Sequence, residues 1–119
     1  MPQPFNPLDF LKLARDLATN PDDAKLRAAV NRAYYALFLI ARDKAGITGP
    51  QDVHKRTVTA VKQRTNYLAT GNDLDQLRIL RIEADYCLIP SKPLYNDWVA
   101  NWTKAEQIIH RVLPKLQAW

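Results

Sequence analysis

The run Asn31-Arg32-Ala33-Tyr34-Tyr35-Ala36-Leu37-Phe38 decides the fold, because it lies in a longer segment that is apolar around its whole circumference. Leu26, Val30, Ala33, Leu37 and Ile40 recur in steps of four and three, and Tyr34, Tyr35, Phe38 and Leu39 fill the remaining sides. A helix of that kind has no face to give to water, so it must be surrounded by other helices. Its start is signalled by Asn20-Pro21-Asp22-Asp23, an N-cap and a first-turn proline with acids at the positive end of the helix dipole. Gly46 supplies the C-cap after Ala45, and Thr48-Gly49-Pro50 is a turn.

Working outward, the same signals give the partners of this central helix. Asn6-Pro7 opens a first helix with Leu8, Phe10, Leu11 and Leu17 on its apolar face, running to about Thr19. A third helix, roughly Asp52 to Thr65, carries Val53, Thr57, Ala60 and Val61 on one side and Lys55, Arg56, Lys62 and Arg64 elsewhere. Asn66 to Asn72, with Gly71, reads as a loop, and Asp73 as the start of a fourth helix ending near Cys87 or Leu88, before Pro90 and Pro93. Leu94, Trp98, Trp102, Ala105, Ile109 and Val112 form the stripe of a last helix that Pro114 is expected to end or kink. The expected fold is a single all-α domain over residues 1–119, an up-and-down antiparallel helical bundle of four to five helices.

Composition narrows the function classes. A chain of 119 residues with 47% hydrophobic content can bury one modest core and no second one. The single cysteine, Cys87, forms no internal disulfide, and neither Cys nor His has zinc-site spacing, so no metal or other cofactor is expected. No apolar run is long enough to span a membrane and Met1-Pro2-Gln3-Pro4-Phe5 lacks the pattern of a secretory leader, which suggests a cytoplasmic location. The net charge of +5 suits an anionic partner by raising its local concentration.

Arginine beside tyrosine occurs twice within apolar helical pattern, in the run quoted above and in Leu77-Arg78-Ile79-Leu80-Arg81-Ile82-Glu83-Ala84-Asp85-Tyr86. A buried guanidinium must be satisfied by carboxylates, hydroxyls or a phosphate, so the two segments suggest one shared polar site. Arg32-Ala33-Tyr34-Tyr35-Ala36-Leu37-Phe38, then His54-Lys55, then Leu77-x-x-Leu80-Arg81-x-x-Ala84-Asp85-Tyr86 stand in the order seen in HEPN domains, which this chain resembles from helix two to helix five. The resemblance implies a helical bundle, usually a homodimer, of prokaryotic toxin–antitoxin or defence systems, beside antitoxin or nucleotidyltransferase partners. Many members resemble metal-independent endoribonucleases, with an arginine and a histidine separated by four to six intervening residues.

This chain departs from that motif. The histidine positions after Arg81 hold Tyr86, Cys87 and Leu88, and those after Arg32 hold Leu37, Phe38 and Leu39. RNA cleavage without a metal needs groups that transfer protons near neutrality and a cation on the phosphate. Arg81 with Asp85 and His54 is the candidate catalytic set, since such a constellation is spatial rather than sequential. The plainer reading of Arg81 and Asp85 is an ion pair at i and i+4. Arg32, Lys55, Arg56 and Arg78 are candidates for phosphate or RNA, Lys55 and Arg56 helped by the free N–H groups at their helix start. Tyr35 and Tyr86 complete the polar candidates, Tyr86 also as a target for modification by a nucleotidyltransferase. Tyr34, Tyr35, Trp98 and Trp102 read as core, the tryptophans alternatively as anchors of a dimer interface.

The favoured expectation is a HEPN-like binding module for RNA, a nucleotide or a nucleotidyltransferase partner. The alternative is a variant metal-independent endoribonuclease working in a dimer cleft.

Overall fold

The computed structural model describes residues 4–87 and 97–119. They form five helices: α1 (Leu8–Leu17), α2 (Asp23–Ala45), α3 (Val53–Gln63), α4 (Leu68–Tyr86) and α5 (Trp98–Gln117). The fold is an all-α bundle, as its periodicity predicts, and among the described residues no helix is long and apolar enough to cross a membrane.

Helix α2 packs against each of the other four, which explains why it has no polar face. Leu26, Val30, Ala33, Tyr34 and Leu37 are sealed from solvent, and Tyr34 is the largest fully buried side chain. Chain direction follows from the cross-helix pairs. Arg27 of α2 meets Ala84 and Cys87, Asn31 meets Asp85, and Tyr34 lies under Arg81, so α2 and α4 run antiparallel. Helix α3 also runs antiparallel to α4: Lys62 abuts Gly71, while His54 at the opposite end lies in the field of Arg78 and Arg81.

The helix ends show where local signals were sufficient. Asn6 accepts a hydrogen bond from the Leu8 amide at 3.0 Å, and Gly46 takes the left-handed conformation (φ 69°) that closes α2. The start of α2 differs from expectation. Asn20 receives the Asp22 amide in a turn outside the helix, and Asp22 is the cap, accepting from the Lys25 amide at 3.2 Å.

Two corrections come from tertiary packing. Residues 68–72, expected in a loop, form the first turn and more of α4, with Gly71 buried inside it. A Cβ at Gly71 would lie 2.9 Å from the Lys62 amide nitrogen, so this glycine permits close contact between α3 and α4 and does not break the chain. Pro114 does not end α5, which continues to Gln117. Leu116 beyond it is fully buried, and the Tyr67 hydroxyl donates at 2.8 Å to the Lys115 carbonyl, one of the terminal acceptors that lack an intrahelical donor. Leu94, Pro90 and Pro93 lie outside the described residues; of the expected α5 stripe, Trp98, Ala105, Ile109 and Val112 are buried and Trp102 is half-buried.

Candidate functional site

Arg81 is the centre of the site. Helix α4 turns it inward between Leu77 and Ala84, and only 8% of the residue remains exposed. Its guanidinium stands 5.3 Å from the Tyr34 ring centroid and 5.6 Å from that of Tyr35, both presented by α2. Nη1 donates to Asp85 Oδ2 at 3.2 Å, the i and i+4 ion pair visible in the sequence. Asp85 is positioned in turn by Asn31, whose amide donates to both carboxylate oxygens at 3.0 and 3.1 Å. One ion pair does not exhaust five donors: the Arg81 Nε is buried and has no hydrogen-bond partner among the described residues.

His54 reaches the same place from the first turn of α3. Its ring stacks on Phe38 with centroids 4.2 Å apart, and its Nδ1 lies 2.6 Å from the Tyr34 hydroxyl. Burial lowers its pKa from the ordinary imidazole value, and the positive charges of Arg81, Arg78 and Arg42 lower it further. The ring is therefore neutral at pH 7. Burial pushes the Tyr34 phenol far above its ordinary pKa, against the opposing pull of Arg81 and Arg78, so its proton stays in place.

These two facts assign the hydrogen bond. A buried phenol O–H with Nδ1 as its partner must donate there, since the reverse arrangement would orphan the O–H at a cost of about 1–3 kcal/mol. Accepting at Nδ1 puts the ring proton of His54 on Nε2. The ring then offers a donor at Nε2, within the electrostatic field of Arg81. Donors plus positive charge suit an anion; among the described residues no group of three His, Cys, Asp or Glu is placed to hold a metal ion.

The catalytic candidates Arg81, Asp85 and His54 thus converge, joined through Tyr34 and bordered by Tyr35. Arg78 lies one turn before Arg81 and is paired with Asp75 at 2.9 Å. Lys55 and Arg78 line a cleft of about 340 Å³ between α3 and α4. Arg32 is not part of the cluster. It faces α1, with its guanidinium 5.1 Å from the Phe10 ring centroid. Arg56 donates to the carbonyls of Thr48 and Gln51 at 2.8 and 3.2 Å and ties down the turn before α3. Tyr86 is 73% exposed and outside the cluster.

Three residues of the arrangement had no assigned role in the sequence reading. Tyr34 reads there as core, and neither Asn31 nor Arg27 is singled out for chemistry. Arg27 donates through Nη1 to the carbonyls of Cys87, Ala84 and Glu83 at 2.7, 3.3 and 3.4 Å and lies 4.7 Å from the Trp98 ring centroid, so it caps α4 against α5. The available signal was helical spacing: Arg27, Asn31, Tyr34, Tyr35 and Phe38 share one face of α2, and that face is the one turned toward α4 and His54. No family model, curated protein or solved structure matches the chain.

Proposed function

We propose that this protein is a HEPN-like binding module whose Arg81–His54 site holds a phosphate group of RNA or a nucleotide, acting in the cytoplasm of a prokaryote as part of a toxin–antitoxin or defence pair. The observation that carries this reading is the 2.6 Å contact between Tyr34 and His54 Nδ1. With the buried phenol as donor, this contact leaves the ring proton on Nε2, which supports a role in binding an anion over removal of a proton from a 2′-hydroxyl. Arg81 supplies the charge, and Asp85 and Asn31 hold it in place. The homodimer implied by the HEPN resemblance, and an antitoxin or nucleotidyltransferase partner, remain part of this proposal.

The alternative ribonuclease gains its one support from the neutral state of His54, which a general base requires. It needs the opposite tautomer, with Nδ1–H donating to Tyr34. Two measurements on the purified protein separate the readings. Titration with uridine monophosphate in chelator is expected to raise the His54 pKa, because a bound dianion favours imidazolium, and Arg81→Ala is expected to abolish the response. Absence of any response in the wild type refutes the binding site. Cleavage of total RNA in chelator, lost in both Arg81→Ala and His54→Ala, would establish the enzyme instead.

A further inference from the structure

We infer that the cleft between α3 and α4 carries successive phosphodiesters of one nucleic-acid strand, past Arg78 and Lys55 to Lys62. This rests on the phosphate reading of Arg81 and specifies its ligand as a polymer. The cleft holds about 340 Å³ and is lined by Lys55, Val58, Thr59, Lys62, Asp75 and Arg78. Its one carboxylate, Asp75, is matched by Arg78 at 2.9 Å. Lys55 and Lys62 have no ion pair or hydrogen bond among the described residues, so the cleft has two uncompensated cations.

Their placement is ordered. Lys55, Val58, Thr59 and Lys62 follow helical spacing along a single face of α3, opposite Asp75 and Arg78 on α4. At the far end Gly71 lets α4 approach the Lys62 backbone, where a Cβ would come within 2.9 Å of the amide nitrogen, so the position of Lys62 beside α4 depends on that glycine. At the near end Arg78 and Arg81 occupy consecutive turns, and both act electrostatically on His54. From His54 to Lys62 the helix rises about 12 Å, at 1.5 Å for each residue. A single phosphate held by Arg81 cannot reach the lysine at the other end. A ligand that uses the whole row must carry further phosphates, and Val58 with the Thr59 methyl leaves a less polar stretch suited to sugar between them.

The test is fluorescence anisotropy of labelled short oligouridylate and oligothymidylate against the full chain over a range of salt, with uridine monophosphate as the single-phosphate probe. Wild type is expected to bind the oligouridylate with affinity that falls steeply with salt. In the Lys55→Ala, Lys62→Ala double variant the slope of log K against log salt should be shallower by about 1.4, since each phosphate contact contributes about 0.7 on a single strand. At 0.1 M salt that corresponds to binding weaker by about 25-fold. Binding of uridine monophosphate should be retained, and the Lys55→Arg, Lys62→Arg variant should restore the oligonucleotide affinity. Tighter binding of oligouridylate than of oligothymidylate would assign the strand as RNA; equal binding would assign the phosphodiester backbone irrespective of sugar. Wild-type oligonucleotide affinity and slope in the double variant, with uridine monophosphate still bound, would overturn the cleft and leave the Arg81 site standing. Failure of the wild type to bind either probe would overturn both.

Discussion

Replacing Tyr34 with phenylalanine removes one oxygen and tests the assignment of the site. The phenyl ring keeps the stack on Phe38, whose centroid is 5.8 Å away, and the face presented to Arg81. What is lost is the 2.6 Å hydrogen bond to His54 Nδ1, made by a fully buried hydroxyl. A net intramolecular hydrogen bond is worth about 1 kcal/mol, and leaving Nδ1 short of a donor raises the cost toward 2 kcal/mol. Urea unfolding of Tyr34→Phe should therefore show a loss of about 1–2 kcal/mol with an unchanged m-value. The direction of the His54 titration is more diagnostic. A phenol that donates to Nδ1 supports only the neutral ring, so its removal should raise the His54 pKa, with burial and the three arginines still holding it below the ordinary value. A phenol that accepts from Nδ1–H supports the imidazolium as well, and its removal should lower the pKa. The assay is a pH titration of the histidine ring protons by NMR, with the exposed His110 as the second resonance in the same spectrum. A fall in the Tyr34→Phe variant would refute the assigned tautomer and leave Nε2 free to act as a base. Identical titration and stability in the two proteins would show that the bond does not form in solution.

Other perturbations test the packing around the site. Because the His54 pKa is lowered on folding, the unfolded chain binds more protons just below about pH 6.5; stability is expected to be complete above that pH and to decline as pH falls through the lowered folded value, and His54→Gln should remove this component of a pH series of melts. Gly71→Ala places a methyl against the Lys62 backbone, so it should cost about 1–3 kcal/mol in chemical denaturation despite the better helix propensity of alanine; a stability gain would refute the close approach. Arg27→Met keeps much of the stem but removes the carbonyl contacts at the end of α4, and should cost about 2 kcal/mol with faster amide exchange at Ala84 to Cys87. Trp119→Ala removes the edge contact with Tyr67 and the stack under Arg64, at 5.2 and 4.3 Å between centroids or to the guanidinium, and should lower stability by about 1–2 kcal/mol without altering nucleotide binding.

Much of the bundle was legible because its signals are local. The C-cap at Gly46 needs only a residue that accepts positive φ, and the central place of α2 follows from its own apolar circumference. That Gly71 lies inside α4 and that α5 runs on past Pro114 have one shared reason. Each residue weakens a helix intrinsically, but Gly71 is paired with a neighbouring backbone and the turn holding Pro114 is secured by buried Leu116 and the Tyr67 hydroxyl. The Arg81–Asp85 pair was visible because both partners lie on one turn. The Tyr34–His54 contact was not, since its partners are twenty positions apart on different helices and no spacing rule joins them. The charged candidates divided on the same basis: Arg32, Arg56 and Arg78 resemble one another in sequence, and only the fold sends the first to Phe10, the second to a turn and the third into the cleft.

Arg27 and Arg81 give the sharpest separation between a structural and a binding arginine. Both are inward-facing cations at the contact of α2 with α4, and each lies over an aromatic ring. Arg27 directs its guanidinium at backbone carbonyls left open where α4 ends, atoms that would otherwise need water, and this use accounts for its position without a ligand. Arg81 meets no such carbonyls in mid-helix. Among the described residues it has one carboxylate, an Nε with no partner, and a nearby imidazole hydrogen-bonded to a buried phenol. Substitution of each by methionine should expose the difference. Loss of Arg27 should weaken the fold and spare nucleotide binding in the fraction that remains folded, whereas loss of Arg81 should abolish binding at a smaller cost in stability, or none, since its desolvation is removed together with its ion pair. Equal stability losses with nucleotide binding intact in both would make Arg81 a structural arginine and end the phosphate reading.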